Sequence, residues 1–280
     1  MSFFDSFEKK HDFLVCVDSD GCAMDTLDCK HFHCFGPCMV DEWELHQWKD
    51  AILDRWNVIN LYSMTRGINR FKGLAAALTE INEQYMSIDG IDALNEWVEH
   101  SPALSNDALV SALEKGGHPV LKKALDWSKA VNASINLLPE EMKKPFAGAK
   151  EGLAFAAGLA DVAIVSSANR DAVVEEWSKF GLLEHTDITL AQDVGSKAAC
   201  IAAMLKFGYA PDHVLMVGDA PGDCEAAEKN GVWYYPILVR HETESWKELC
   251  EKYLPVLVSG EYAFVQAELK QRFLENLSGK

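Results

Sequence analysis

Apolar positions along the chain keep two different periods. Five short runs are dense in apolar, often β-branched residues and close on turn formers or acids: FLVCV (13–17), DVAIV (161–165), DITL (187–190), HVLMVGD (213–219) and VWYYPILV (232–239). Runs of this length and composition predict buried strands. Between the last four, apolar residues recur at helical spacing in DAVVEEWSKFGLL (171–183), SKAACIAAMLKFG (196–208), where Ser196 is a natural N-cap, and CEAAEKNG (224–231). Strands alternating with helices predict a parallel sheet with right-handed crossovers. The run at 13–17 belongs to that sheet.

From residue 26 to about 145 the texture is helical throughout. VDEWELHQWKDAILDRW (40–56) opens with acids and continues at helical spacing. FKGLAAALTEINEQY (71–85), DALNEWVEH (92–100) and DALVSALEKGG (107–117) follow, the last closing on Gly-Gly. HPVLKKALDWSKAVNASINLLP (118–139) is bounded by Pro119 and Pro139. The expected architecture is therefore α/β: a doubly wound parallel sheet built from residues 1–24 and 146–280, with an all-α domain, 25–145, inserted after the first strand and its loop. Hinges are expected near 21–26 and 144–148. No internal repeat and no low-complexity segment interrupts this plan.

Composition narrows the partners. The 280 residues are 49% hydrophobic and 25% charged, which is globular rather than disordered. Against 26 Lys and Arg stand 43 Asp and Glu, a formal charge of −17 that disfavours nucleic acid and anionic membrane. No apolar stretch is long enough to span a bilayer, and the N-terminal residues lack the apolar core of a signal peptide. With no secretory signal, the eight cysteines read as reduced thiols and the expected location is the cytoplasm. The oligomeric state is not legible. An anionic substrate would need local positive charge, from a metal ion or a few placed cations.

The candidate chemistry gathers at strand ends, where open α/β sheets keep their ligands. Four segments stand there: VCVDSDG (15–21), AIVSSANR (163–170), DVGSKAAC (193–200) and LMVGDAPGD (215–223). A carboxylate such as Asp18 can attack phosphorus and divide one displacement into two easier ones. A second, Asp20, can protonate the leaving oxygen and later take a proton from water. Two carboxylates facing a phosphate dianion repel it, a problem that Mg²⁺ with oxygen ligands removes. Asp219 and Asp223 add acid at another strand end. An Asp-x-Asp-Gly loop for calcium is excluded, since counting from Asp18 the sixth position is Ala23 and the twelfth Cys29, where Gly and Glu are needed.

This ordered set resembles the haloacid dehalogenase-like hydrolase superfamily, across residues 11–24 and 146–240. The resemblance implies a Rossmann-like core with an inserted cap. It implies Asp18 as nucleophile and Asp20 as general acid and base. It also implies that Ser166 and Lys197, with Ser167 and Asn169 beside them, bind the phosphoryl oxygens. Asp18, Asp20 through its carbonyl and Asp219 would hold Mg²⁺; Asp223 would join them through water or orient Lys197. Members that dehalogenate usually lack the second Asp, so Asp20 points to phosphate esters.

The insert offers two further features. TRGINRFK (65–72) gathers Arg66, Arg70 and Lys72 in an acidic chain, and loosely resembles the cap loop by which β-phosphoglucomutase-like members hold the non-reacting part of the substrate. It could equally be a solvated connection. CAMDTLDCKHFHCFGPC (22–38) holds Cys22, Cys29, Cys34, Cys38, His31 and His33. That density invites a zinc reading, but the spacing matches no finger or ribbon, so buried thiols and one or two cleft-facing residues are expected. Trp43, Trp48, Trp56, Trp97 and Trp127 are expected to pack the cap. The leading expectation is a Mg²⁺-dependent phosphatase of a small phosphorylated metabolite, working through an aspartyl-phosphate. The alternatives are a phosphomutase with the same core residues and, from another class, a zinc-binding interaction module on a vestigial core.

Overall fold

The computed structural model describes Phe4 and residues 7–278. Its contacts divide into two compact units, one formed by the chain up to Leu27 together with Glu140 onward, the other by 28–139.

The first unit is built on five parallel strands. β1 (Leu14–Val17) lies at the centre. A two-stranded pair, β2 (Met24–Asp25) and β3 (Lys144–Pro145), stands apart from the main sheet. β4 (Asp161–Val165), β5 (Ile188–Leu190), β6 (Val214–Gly218) and β7 (Trp233–Pro236) complete the main sheet in the order β5-β4-β1-β6-β7. Leu14 is level with Asp161 and Val214, and Val17 with Ile164 and Val217. Every residue of β1, β4 and β6 is buried. Parallel strands covered on both faces read as continuous apolar runs instead of alternating ones, which is why they are visible in the sequence.

Helices Ala149–Ala157, Arg170–Lys179, Lys197–Leu205 and Pro221–Asn230 follow β3, β4, β5 and β6. Beyond β7 the chain adds helices at Glu242–Glu248, Leu254–Val258 and Ala263–Leu277, the first two joined by a π turn. They bring Trp246, Leu249, Tyr253, Leu254 and Leu257 into one core with Val15, Val17, Val162, Ile164, Leu215 and Val217. β1 has its neighbours β4 and β6 on opposite sides, so the strand order reverses there, and ligands of such sheets sit at that switch point.

The second unit is all helical, with longer helices at Lys49–Leu61, Arg70–Gln84, Ile91–His100, Asn106–Glu114 and Pro119–Asn136. The stretch 40–56, expected as one helix, is broken. The helix Gly36–Glu42 ends at Trp43, and Glu44 takes a left-handed φ of 55°. Leu45 N–H then donates back to Val40 carbonyl at 2.8 Å, a helix stop of the kind usually built on glycine. The break lets Trp43 and Leu45, which a continuous helix would set on different faces, both enter the core. Trp56 and Trp127 are also fully buried there, and Trp48 and Trp97 pack against that core, as expected of the tryptophans.

The two segments expected as hinges meet each other. β2 and β3 are antiparallel, Met24 opposite Pro145 and Asp25 opposite Lys144, and Phe146 N–H donates to Ala23 carbonyl at 3.0 Å. Among the described residues no helix is long and apolar enough to cross a membrane.

Candidate active site

Asp18 follows the last residue of β1, its N–H held by Val217 carbonyl at 3.0 Å, so strand pairing fixes its backbone. Asp219 follows the last residue of β6 in the same way. Asp223 is the third residue of the helix Pro221–Asn230. All three are buried, and a carboxylate oxygen from each lies within 4.8 Å of the others. Gly218 makes room for this, because a Cβ there would overlap the Asp223 carboxyl group.

Lys197, the first residue of the helix Lys197–Leu205, reaches into the cluster. Its ammonium lies 2.7 Å from Asp18 Oδ2 and 2.5 Å from Asp223 Oδ1. Asp223 Oδ2 accepts from the Ala220 N–H at 3.0 Å. Asp223 is thus committed on both oxygens, which suits it to holding the lysine. Burial pushes the Asp18 carboxyl well above the usual carboxylate range; Lys197 pulls it down, and Asp223 and Asp219 push it up again. Burial works against the Lys197 charge, but Asp18 and Asp223 outweigh it and hold the ammonium protonated.

Three carboxylates and one ammonium leave this buried site short of positive charge. An all-oxygen donor set with that deficit fits a hard divalent cation such as Mg²⁺. Asp18 and Asp219 are the side chains placed to hold one.

Asp20 is two residues past Asp18 and half-buried. The buried Thr26 hydroxyl donates to Asp20 Oδ1. Between them Gly21, with φ of 83°, turns the loop so that its N–H reaches Met24 carbonyl at 2.8 Å. Sequence reading missed Thr26; the only sign of it was a hydroxyl residue shortly after the second acid.

Ser166 follows the last residue of β4, buried, on the strand beside β1. Its Oγ accepts from the Ala168 N–H at 3.1 Å, which points the hydroxyl within its own turn. Ser167 and Asn169 are exposed, and Asn169 is spent locally: its side-chain oxygen accepts from the Asp171 and Ala172 N–H groups as N-cap of Arg170–Lys179.

The basic loop of the second unit departs from expectation. Arg66 is not presented to a ligand: its side chain is 1% exposed, donates to Leu61 carbonyl at 2.8 Å and pairs with Asp28 at 3.5 Å. A buried guanidinium requires such partners, and Asp28 also accepts from Tyr62 OH at 2.8 Å. Arg70 is braced by Asn132 at 2.7 Å and Ser128 Oγ at 3.2 Å, with its guanidinium 5.0 Å from the Phe35 ring centre. Lys72 alone of the three is exposed.

The Cys/His stretch does not, among the described residues, gather into a group placed to share a metal ion. Among the described residues, the acidic and metal-binding side chains close enough to share an ion are Asp18, Asp219 and Asp223. Cys22 is buried in the core of the first unit and Cys34 in that of the second, while His33 is exposed. His31 stacks on Phe35 and accepts at Nδ1 from the Trp56 indole at 3.0 Å.

A model of haloacid dehalogenase-like hydrolases matches residues 93–235, half of the chain. That span holds Ser166, Lys197, Asp219 and Asp223 but not Asp18 or Asp20. No curated protein matches the sequence. Among solved structures, a candidate phosphoglycolate phosphatase from Lactobacillus delbrueckii is similar with a TM-score of 0.51 at 11% identity, over 81% of this chain and 86% of that one. A candidate β-phosphoglucomutase from Thermotoga maritima has a TM-score of 0.48 at 15% identity, over 80% and 84%. At 11% identity the likeness to the Lactobacillus structure is one of fold.

Proposed function

The chain belongs to the haloacid dehalogenase-like hydrolases, and on that premise we propose that it is a Mg²⁺-dependent phosphatase of a small phosphorylated metabolite. The observation that carries this reading is Asp20, a second carboxyl group two residues beyond the strand-end Asp18 and hydrogen-bonded by Thr26. A dehalogenase has no leaving oxygen to protonate; a phosphatase does.

Asp18 Oδ attacks phosphorus, the bond from phosphorus to the ester oxygen breaks, and Asp20 gives its proton to the departing alcohol. Water then attacks the aspartyl-phosphate. Asp20 takes the water proton, the acyl-phosphate P–O bond breaks, and Asp18 and inorganic phosphate are restored. Lys197, fixed by Asp223, offers its ammonium to the phosphoryl oxygens as charge builds there. Ser166, at the neighbouring strand end, contributes a hydroxyl. Asp18 and Asp219, with the Asp20 carbonyl, would hold Mg²⁺, which would supply the remaining positive charge when bound. The small-molecule class is supported by the acidic chain, which disfavours nucleic acid and anionic lipid as substrates.

The test is a panel of phosphorylated metabolites assayed for inorganic phosphate release, with Mg²⁺ and with chelator. Release that depends on Mg²⁺ is expected. Equal release in chelator, or a product in which the phosphoryl group has moved within the substrate instead of to water, overturns the reading.

A further inference from the structure

Two tryptophans far apart in sequence converge on the loop that carries the two candidate catalytic acids. Ser19 continues the face of β1 that carries Val15 and Val17 into the core, and it is completely buried. A hydroxyl in that position needs a partner, and the Trp177 indole supplies it: Nε1 donates to Ser19 Oγ at 2.9 Å. Trp177, from the helix Arg170–Lys179, is itself fully buried. Three residues on, Cys22 carbonyl accepts from Trp246 Nε1 at 3.0 Å. Trp246, from the helix Glu242–Glu248, is also buried, and its ring lies where a Cβ on Gly152 would stand.

The loop between these two contacts is wound tightly. The Ser19 carbonyl accepts from the N–H groups of Ala23 at 3.0 Å and Met24 at 2.8 Å. Each indole has one polar atom and gives it to this turn. Everything else about the two rings is apolar packing, so the direction of that one bond is set by a rigid, buried body.

We propose that Trp177 and Trp246 are positioning residues that fix the Asp18–Met24 loop, Trp177 acting through the Ser19 hydroxyl that separates Asp18 from Asp20. Asp18 is directed by the strand and Lys197; Asp20 is directed by Thr26. Ser19 sets how far the two carboxyl groups diverge. A phosphoryl donor has to meet the nucleophile on phosphorus and the proton donor on its ester oxygen at once, so the divergence matters to the rate.

The kinetic arm of the test rests on the phosphatase reading, and the other arm does not. Trp177→Phe keeps the ring in the core and deletes the N–H; Ser19→Ala deletes the acceptor with almost no change of volume. In both, kcat for the best phosphate ester is expected to fall about ten- to a hundredfold with KM little changed. The double variant is expected to lose no more than the worse single, since both remove one bond. Trp246→Phe is expected to act in the same direction. Amide hydrogen exchange at Ala23 and Met24 is expected to quicken at least tenfold in Trp177→Phe, with β4 unchanged. Lower melting temperatures with kcat and loop exchange at wild-type levels would mean that the indoles only pack the core, and would overturn the proposal. If the wild type hydrolyses no phosphate ester, the proposed function fails, and exchange alone decides: faster loop exchange in Trp177→Phe and Ser19→Ala upholds positioning, unchanged exchange refutes it.

Discussion

Lys197 donates to Asp223 at 2.5 Å, the first residue of one helix meeting the third of another. The pair is almost fully buried, with side chains 14% and 0% exposed. Removing one member of such a pair strands the other charge, which typically costs about 3–5 kcal/mol. Lys197→Met should therefore lose both turnover and stability, seen as a lower urea midpoint. Mg²⁺ should raise that midpoint in the variant, because a divalent cation replaces the missing positive charge among three acids. A variant as stable as wild type without metal would contradict this account.

Asp18→Asn removes the nucleophile and keeps the shape. Turnover should vanish while the circular dichroism spectrum and melting curve remain those of a folded protein. Beryllium fluoride should bind wild type and leave the variant unprotected in the same melting assay. Residual turnover in folded Asp18→Asn would assign the attack elsewhere.

Thr26→Val exchanges a buried hydroxyl for a methyl group and removes its hydrogen bond to Asp20. Loss of a hydrogen bond to a carboxylate amounts to about 1.5–3 kcal/mol, or roughly ten- to a hundredfold in kcat/KM if the bond aligns Asp20 for proton transfer. Thr26→Ser should recover most of it. If valine and serine behave alike, the hydroxyl has no part in the reaction.

Gly218→Ala is a test of space. The added methyl group would overlap the Asp223 carboxyl, and overpacking of this kind costs about 1–3 kcal/mol. Stability should fall, and activity should fall further because Asp223 steers Lys197. Normal activity would show that the loop yields more readily than its packing indicates.

Arg66→Met should destabilise without altering specificity. The guanidinium is enclosed by Leu61 carbonyl and Asp28, so its loss should cost about 1.5–3 kcal/mol and change kcat/KM for all substrates by one common factor. Lys72→Ala should stay within about 0.5 kcal/mol of wild type. A selective effect of Arg66→Met on doubly anionic substrates would return this residue to the role its sequence neighbourhood suggested.

These contrasts show where sequence carried the structure and where it did not. β1, β4 and β6 were legible because two-sided burial leaves unbroken apolar runs, and the acids ending them were legible because their spacing is local. The turn at Glu44 was not, since a glutamate in a left-handed position carries none of the signal that glycine would. Arg66 reads in sequence as a substrate ligand or a solvated cation, because its partners Asp28 and Leu61 are brought to it only by the fold. Thr26, Trp177 and Trp246 were invisible for a related reason: each acts through one hydrogen bond to a segment whose position a linear reading does not provide.

The pairing of Met24 with Pro145 and Asp25 with Lys144 has a consequence for how such a chain can be assembled and edited. Paired antiparallel strands hold their partners about 5 Å apart, so the departing and returning segments are neighbours at the point where residues 28–139 begin and end. To the sheet, the whole helical unit is the loop of a hairpin. The entropy of closing a loop grows only with the logarithm of its length, and a folded loop whose own ends are adjacent escapes even that. Such a junction accepts exchange of its contents: a two-residue turn, or an unrelated domain with neighbouring termini, could bridge Asp25 and Lys144 while the strand pair on either side stays in register.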